Sequence, residues 1–321
     1  MIHNSDPPPR VRPAALRFIL IFAALVALGF SAIAAAHWVL ARGDLLPPPP
    51  LVANPCIDSK LAFLARTELD KAAIVAVGSS TTWRNLDMRV FERRLGKAAL
   101  NAAPCYLHID QTAVLAEFLV TRLPALETLL VVVHPRDFDT CHPGEREFFN
   151  PWLLGAYLDG WIPQWWPYIT GLRPFYLVKH VLAQRKSQRD GGIPLVADGL
   201  GSEALAATNG WNPELILDEQ CFEGVERLAA LAQENTFELV LVLLPHEAQW
   251  RNEHDPTGAR LDAWATRLTA MAGASVRVVD TRDLAWARER FADPVHLLAP
   301  YVAPYSEIVA ARLLARDAAA R

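Results

Sequence analysis

The chain has no surplus of positive charge. Lys and Arg number 31 against 35 Asp and Glu, for a net charge of −4. No basic excess is present to neutralise a phosphate backbone, so nucleic acid is not an expected partner. Cysteine is scarce too: four in 321 residues, none in a C-x-x-C pair. That excludes a disulfide-dense miniature domain and leaves a structural zinc without a ligand set, so no metal or cofactor is expected. Internal repeats are absent. Disorder is excluded by 52% hydrophobic and 21% charged residues, a composition that buries a core.

What is present begins with one long apolar run. Arg10, Arg12 and Arg17 outweigh Asp6, and Phe18–Ala36 then gives 19 residues without a charge. As a helix this run is roughly 28 Å long, close to the hydrocarbon thickness of a bilayer. His37 and Trp38 follow at the interfacial position. The pattern predicts a cytoplasmic tail over 1–17 and a retained transmembrane signal anchor over 18–38, with the remainder carried to the extracytoplasmic side. A cleaved signal peptide ending in the small residues Ala34–Ala36 is the alternative. Pro47–Pro50 predicts a stiff, proline-rich spacer over 39–60 that holds a domain off the membrane.

From residue 61 to 321, continuous apolar runs alternate with amphipathic ones. Strands are predicted at Ala73–Val77, Ala98–Ala103, Thr128–His134, Phe237–Leu244 and Val276–Asp280. Helices are predicted at Met88–Leu95, His108–Leu123, Phe222–Glu234, Leu261–Met271 and Pro300–Arg316. Strands apolar on both faces belong to a parallel sheet covered on both sides. The expected fold is therefore α/β, a flavodoxin-like three-layer sandwich with a central parallel sheet. A tryptophan-rich insertion at about 148–211 interrupts it. That insertion reads as a small aromatic core or as an apolar surface facing a bilayer, a membrane partner, or an acyl or glycan ligand.

In such a sheet, ligands bind at the carboxyl ends of the strands. Those ends carry Gly78-Ser79-Ser80-Thr81, Asn101-Ala102-Ala103, His134-Pro135-Arg136-Asp137, Pro245-His246-Glu247 and, before the last helix, Asp293-Pro294-Val295-His296. A hydroxyl, an imidazole and a carboxylate on one rim are the set a serine nucleophile needs. Ser80 is the candidate nucleophile, although a run of Ser and Thr after a glycine also makes an ordinary helix cap. Asp293 stands three residues before His296 on a bend into the last helix, where it can hold Nδ1 and leave Nε2 to take the serine proton. His246 shares the rim. Arg136 and Asp137 read equally as site residues or as an ion pair. Beyond the anchor, Cys56, Cys105, Cys141 and Cys221 can oxidise. Of the three possible connectivities, Cys105–Cys141 with Cys56–Cys221 is favoured, because Cys105 and Cys141 follow what read as adjacent strands.

Strand–Gly-Ser-Ser near the start of the domain, together with Asp293-x-x-His296-Leu297 leading into the final helix, resembles the SGNH (GDSL-like) hydrolase superfamily. The resemblance is closest to its membrane-anchored branch, which includes alginate and peptidoglycan O-acetylation proteins and the D-alanylation accessory protein of lipoteichoic acid. It implies Ser80 as nucleophile, His296 as base and Asp293 as its orienter, with Thr81, Thr82 and Trp83 lining the first turn. It implies an acyltransferase or esterase acting on acyl groups, expected to be O-acetyl, of an envelope or secreted polysaccharide. It further implies a bacterial inner-membrane protein with a periplasmic domain and a multi-spanning membrane acyltransferase as partner. The family's Gly after strand two and Gly-x-Asn after strand three are replaced here. The oxyanion donors then expected are the N–H of Ser80, a backbone N–H near Ala102–Ala103, and Arg136. A non-catalytic subunit of the same fold, binding glycan or scaffolding an acylation or export complex, is the alternative.

Overall fold

The computed structural model describes residues 13–43, 45–141, 148–170, 182 and 195–319. Arg10 and Arg12 of the expected tail, and residues 171–181 and 183–194 of the expected insertion, lie outside them. The first element is a 30-residue helix, α1 (Pro13–Arg42), with no buried residue. Among the described residues it is the one helix long and apolar enough to cross a membrane. The chain then enters the folded body sooner than the proline run suggests. Pro47, Pro49 and Pro50 are buried, Leu51 joins the core, and α2 (Pro55–Leu64) begins under an Asn54 cap. The expected spacer over 39–60 is thus mostly part of the domain. Proline has no N–H to satisfy, so its burial leaves only the carbonyl to be partnered, as Pro49 O is by the Leu51 N–H at 2.8 Å.

The domain is α/β. Five parallel strands, β1 (Ile74–Ala76), β2 (Ala99–Asn101), β3 (Thr128–Val133), β6 (Glu238–Leu243) and β7 (Val276–Asp280), lie in the order β2-β1-β3-β6-β7. Alternate residues serve opposite faces. Val75, Leu129, Val131, Val133, Leu239 and Leu241 face one core together with α2, α5 (Ile109–Val120), α8 (Phe222–Asn235) and α10 (Ala259–Ala270). Ile74, Ala76, Leu130, Val132, Val240 and Val242 face the other with α4 (Met88–Leu95) and the terminal α11 (Ala299–Ala319). Both faces are apolar because both are covered. Between β1 and α4 runs the short α3 (Ser80–Asn85). The insertion opens with α6 (Pro151–Leu158) and α7 (Trp166–Thr170) and closes with the hairpin β4 (Leu195–Ala197) and β5 (Glu203–Leu205). Helix α9 (Ala248–His254) follows β6.

Two expectations are corrected. The disulfides are Cys56–Cys105 and Cys141–Cys221. The strands before Cys105 and Cys141 are not neighbours, because β1 lies between β2 and β3. That separates them by two interstrand spacings, about 9.5 Å; Cys105 instead pairs with Cys56 in α2, and Cys141 with Cys221 at the start of α8. Asp293 and His296 do not sit on a bend into the last helix either. They face each other across a tight hairpin, β8 (Phe291–Asp293) and β9 (His296–Leu297), that precedes α11.

Candidate active site

The first wall of the site is the turn from β1 into α3. Gly78 takes φ +150°, and a Cβ there would collide with the Thr82 hydroxyl. That hydroxyl bridges to β3, donating to the Val132 carbonyl and accepting its N–H, both at 3.0 Å. Ser79 caps α3, its Oγ accepting the Thr81 N–H at 3.0 Å. The tight turn thereby presents the next residue, Ser80, at the carboxyl rim of the sheet.

His296 Nε2 lies 2.9 Å from Ser80 Oγ. Its Nδ1 lies 2.8 and 2.9 Å from the two carboxylate oxygens of Asp293. A carboxylate only accepts, so Nδ1 carries the proton and Nε2 is the acceptor facing the serine hydroxyl. Asp293 is fully buried and also accepts the backbone N–H groups of Val295 and His296. A further donor comes from Asn209, whose Nδ2 is 2.5 Å from Asp293 Oδ2. Burial alone would raise the Asp293 pKa, but these hydrogen bonds, led by His296, outweigh it and hold the carboxyl below its ordinary value. Asp293 is therefore held in its ionised form, able to accept the Nδ1 proton of the neutral imidazole.

Asn85 and Asn209, which sequence reasoning missed, hold this geometry together with Trp211 of the tryptophan-rich insertion. Asn85, fully buried on α3, donates to the carbonyls of Thr81 (2.8 Å) and Val295 (2.9 Å) and accepts the Leu297 N–H at 2.7 Å. It ties the helix of the serine to the hairpin of the histidine. Its one sequence signal was a poor helix former closing a short Ser-Thr-rich helix. Asn209 and Trp211 lie in irregular chain with no periodicity to mark them. Trp211 stacks on the His296 ring, centroids 5.7 Å apart.

The remaining candidates divide. Arg136 lines the cavity beside Ser80, Arg84, Tyr106 and Trp211. It pairs with Asp139 at 3.1 Å, not with Asp137, so the Arg136–Asp137 ion pair is corrected. Asp137 is buried beneath the turn that carries Ser79 and Ser80. It accepts the hydroxyls of Ser79 and Thr81 and the N–H of His134, and burial pushes its pKa up to about 6. Ala103 is corrected as an oxyanion donor: it is fully buried and its N–H is held by Asn101 Oδ1 at 3.0 Å. Among the described residues, the Ser80 N–H has no such partner. His246 is corrected as a site residue. It packs against His134, Trp250 and Trp264, and burial lowers its pKa to about 3, so it is a neutral core ring.

The cavity has a volume of about 390 Å³, and the Cys56–Cys105 bridge forms part of its wall. Arg84 and Cys56 also line an adjoining cavity of about 530 Å³ that contains Phe63, Trp83 and Glu203. Aromatic faces and guanidinium groups thus line a groove wider than a single acyl group needs. Among the described residues, no cluster of three or more His, Cys, Asp or Glu side chains is arranged to hold a metal ion.

No family model matches the chain, and no curated protein sequence matches it. Among solved structures, a protein provisionally described as a platelet activating factor, from Streptococcus pneumonia, is similar at 11% identity with a TM-score of 0.42. The similarity covers 87% of this chain and 95% of that one. A likeness of that degree carries no argument about activity.

Proposed function

We propose that this protein is a membrane-anchored, extracytoplasmic enzyme of the SGNH type that transfers or hydrolyses an acyl group through an acyl-enzyme on Ser80. The observation that carries the reading is the Ser80–His296–Asp293 chain of hydrogen bonds at 2.9 and 2.8 Å. In the first step, Ser80 Oγ attacks the ester carbonyl of the donor while His296 Nε2 takes its proton. The tetrahedral oxyanion is met by the Ser80 N–H and the Arg136 guanidinium. His296 then returns the proton to the departing alkoxide. In the second step, a sugar hydroxyl or water gives its proton to His296 and attacks the acyl carbonyl; the bond to Ser80 Oγ breaks and His296 returns the proton to that oxygen. A positioned oxyanion donor typically contributes about 10²–10³ in rate, so a charged donor at 136 would offset the loss of the Ala103 N–H.

The aromatic and cationic groove supports a polysaccharide as the acyl acceptor or donor, with O-acetyl the expected group. Helix α1 supports an inner-membrane anchor with the domain outside the cytoplasm, and two disulfides suit an oxidising compartment. A multi-spanning membrane acyltransferase is the partner this arrangement would serve. The test is labelling of the full chain with a fluorophosphonate probe. Labelling that Ser80→Ala abolishes, with hydrolysis of a simple acetyl ester lost in the same variant, is the expected result. An unlabelled, folded wild-type chain would return the reading to a non-catalytic glycan-binding subunit, which the tied Ala103 N–H favours.

A further inference from the structure

The tryptophans of the insertion do not form an aromatic core. Trp161 is 80% exposed, Trp152 69% and Trp166 38%. Exposure of this size by the largest apolar side chain is uncommon in a water-facing surface and marks an interaction face. The segment Phe148–Thr170 holds a single charge, Asp159, where the chain's 21% would give about five. That carboxylate is paired at the surface with Arg122, with contacts of 3.0 and 3.1 Å.

The backbone builds the face deliberately. Asn150 caps α6 by accepting the Leu153 N–H at 3.0 Å, which places Trp152 in the first turn. At the other end, Gly160 takes φ +72° and the Trp161 N–H closes back on the Ala156 carbonyl at 2.9 Å. The inner side of α6, Leu154 and Tyr157, is buried in the domain core. Trp152 in its first turn and Trp161 just past its end are left outside.

The location of this face selects its partner. Tyr168 of α7 packs against His37 of α1, ring centroids 5.9 Å apart. One turn away on α1, Arg42 lies over the Trp38 ring at 3.9 Å, an aromatic–basic pair of the kind that sits at headgroup level. A cavity bounded by Ala41, Pro47, Pro49 and Tyr168 joins the two parts. The insertion therefore stands beside the point where the apolar helix ends.

We propose that Trp152, Trp161 and Trp166 dock the domain on the bilayer interface, so that the enzyme lies on the membrane surface rather than swinging from its anchor. The inference rests on the reading of α1 as membrane-embedded. Tryptophan is suited to this position because its ring is apolar and its N–H remains wet. Two contacts, one helix and one aromatic face, would fix the height and tilt of the Ser80 cavity above the lipid.

The test uses the full chain in phosphatidylcholine nanodiscs whose lipids carry bromine at the shallow 6,7 acyl positions, which quench nearby tryptophan emission. The chain has 10 tryptophans, and Trp83, Trp250 and Trp264 are buried. The expected result is quenching that falls at least twofold in the Trp152→Phe/Trp161→Phe/Trp166→Phe variant, with a residue left from Trp38. The single variant Trp161→Phe, at a nearly fully exposed site, should show a smaller loss in the same direction without any threat to folding. Unchanged quenching in both variants overturns the docking while leaving the anchor intact. Absence of quenching in wild type and variants alike overturns the anchor reading itself. If the three tryptophans are quenched by aqueous iodide and not by bromolipid, the face is open to a soluble glycan. If neither quencher reaches them, it is covered by a second copy. Either result overturns the assignment.

Discussion

Asn85 and His296 are coupled through the backbone on either side of the histidine. The asparagine donates to the carbonyl of Val295, accepts the N–H of Leu297, and leaves the imidazole between them aimed at Ser80. The serine and its base are thus referenced to the same buried amide.

Asn85→Ala leaves the Val295 carbonyl and the Leu297 N–H buried without partners. Each loss costs about 1–3 kcal/mol, so the thermal midpoint of the full chain should fall by on the order of 5–10 °C. Fluorophosphonate labelling of the fraction that remains folded should slow by at least tenfold. A variant with unchanged labelling would show that the hairpin keeps its place without this residue.

Asn209 acts on the base through Asp293. Asn209→Ala removes a hydrogen bond to the carboxylate and so raises the Asp293 pKa from its lowered position. The labelling rate should then be lost at a higher pH on acidification than in wild type, with the alkaline limb unmoved. A uniform drop in rate with no shift of the acid limb would mean that Asn209 only packs the loop.

Asp137 makes stability depend on pH in a direction opposite to the usual carboxylate. Its folded pKa, about 6, stands above its ordinary value of 3.8. Between those two values the folded state binds more proton than the unfolded state, so this group's contribution falls as pH rises through that window and is constant above it. Asp137→Asn should therefore gain stability relative to wild type as pH goes from 4 to 7, by on the order of 1–3 kcal/mol. Thermal melts at a series of pH values check it, and a difference independent of pH would refute the assignment.

The disulfides can be read directly. Peptide mapping without reductant should recover Cys56 joined to Cys105 and Cys141 joined to Cys221. The bridges join residues 49 and 80 positions apart, and each contributes up to about 4 kcal/mol by restricting the unfolded chain. Replacing Cys141 and Cys221 by serine should lower the melting point and leave labelling of the folded protein intact. Replacing Cys56 and Cys105 should alter both, because that pair forms a wall of the cavity.

Where the pattern was periodic, it was legible in the amino-acid sequence. The five central strands, α4, α5, α8, α10 and the terminal helix were marked by continuous apolar runs and by amphipathic spacing, because a parallel sheet buries both faces and its cover helices bury one. The apolar length of α1 was readable as an uninterrupted uncharged run. Ser80, Asp293 and His296 were readable because each lies at the end of a strand or in a short motif whose side-chain chemistry is local. The observed strand order, β2-β1-β3-β6-β7, is the flavodoxin-like one; what failed is the cysteine pairing, because consecutive strands in the chain are not neighbours where β1 lies between β2 and β3. The neutral burial of His246 and the commitment of the Ala103 N–H were equally hidden, because both depend on what packs around them. Asn85 and Asn209 became visible only when segments more than 80 residues apart met, as their value lies in partners that the fold supplies. The outward-facing tryptophans of the insertion followed the same rule: composition announced an aromatic segment, and only the packing of α6 decided which of its faces the domain would keep.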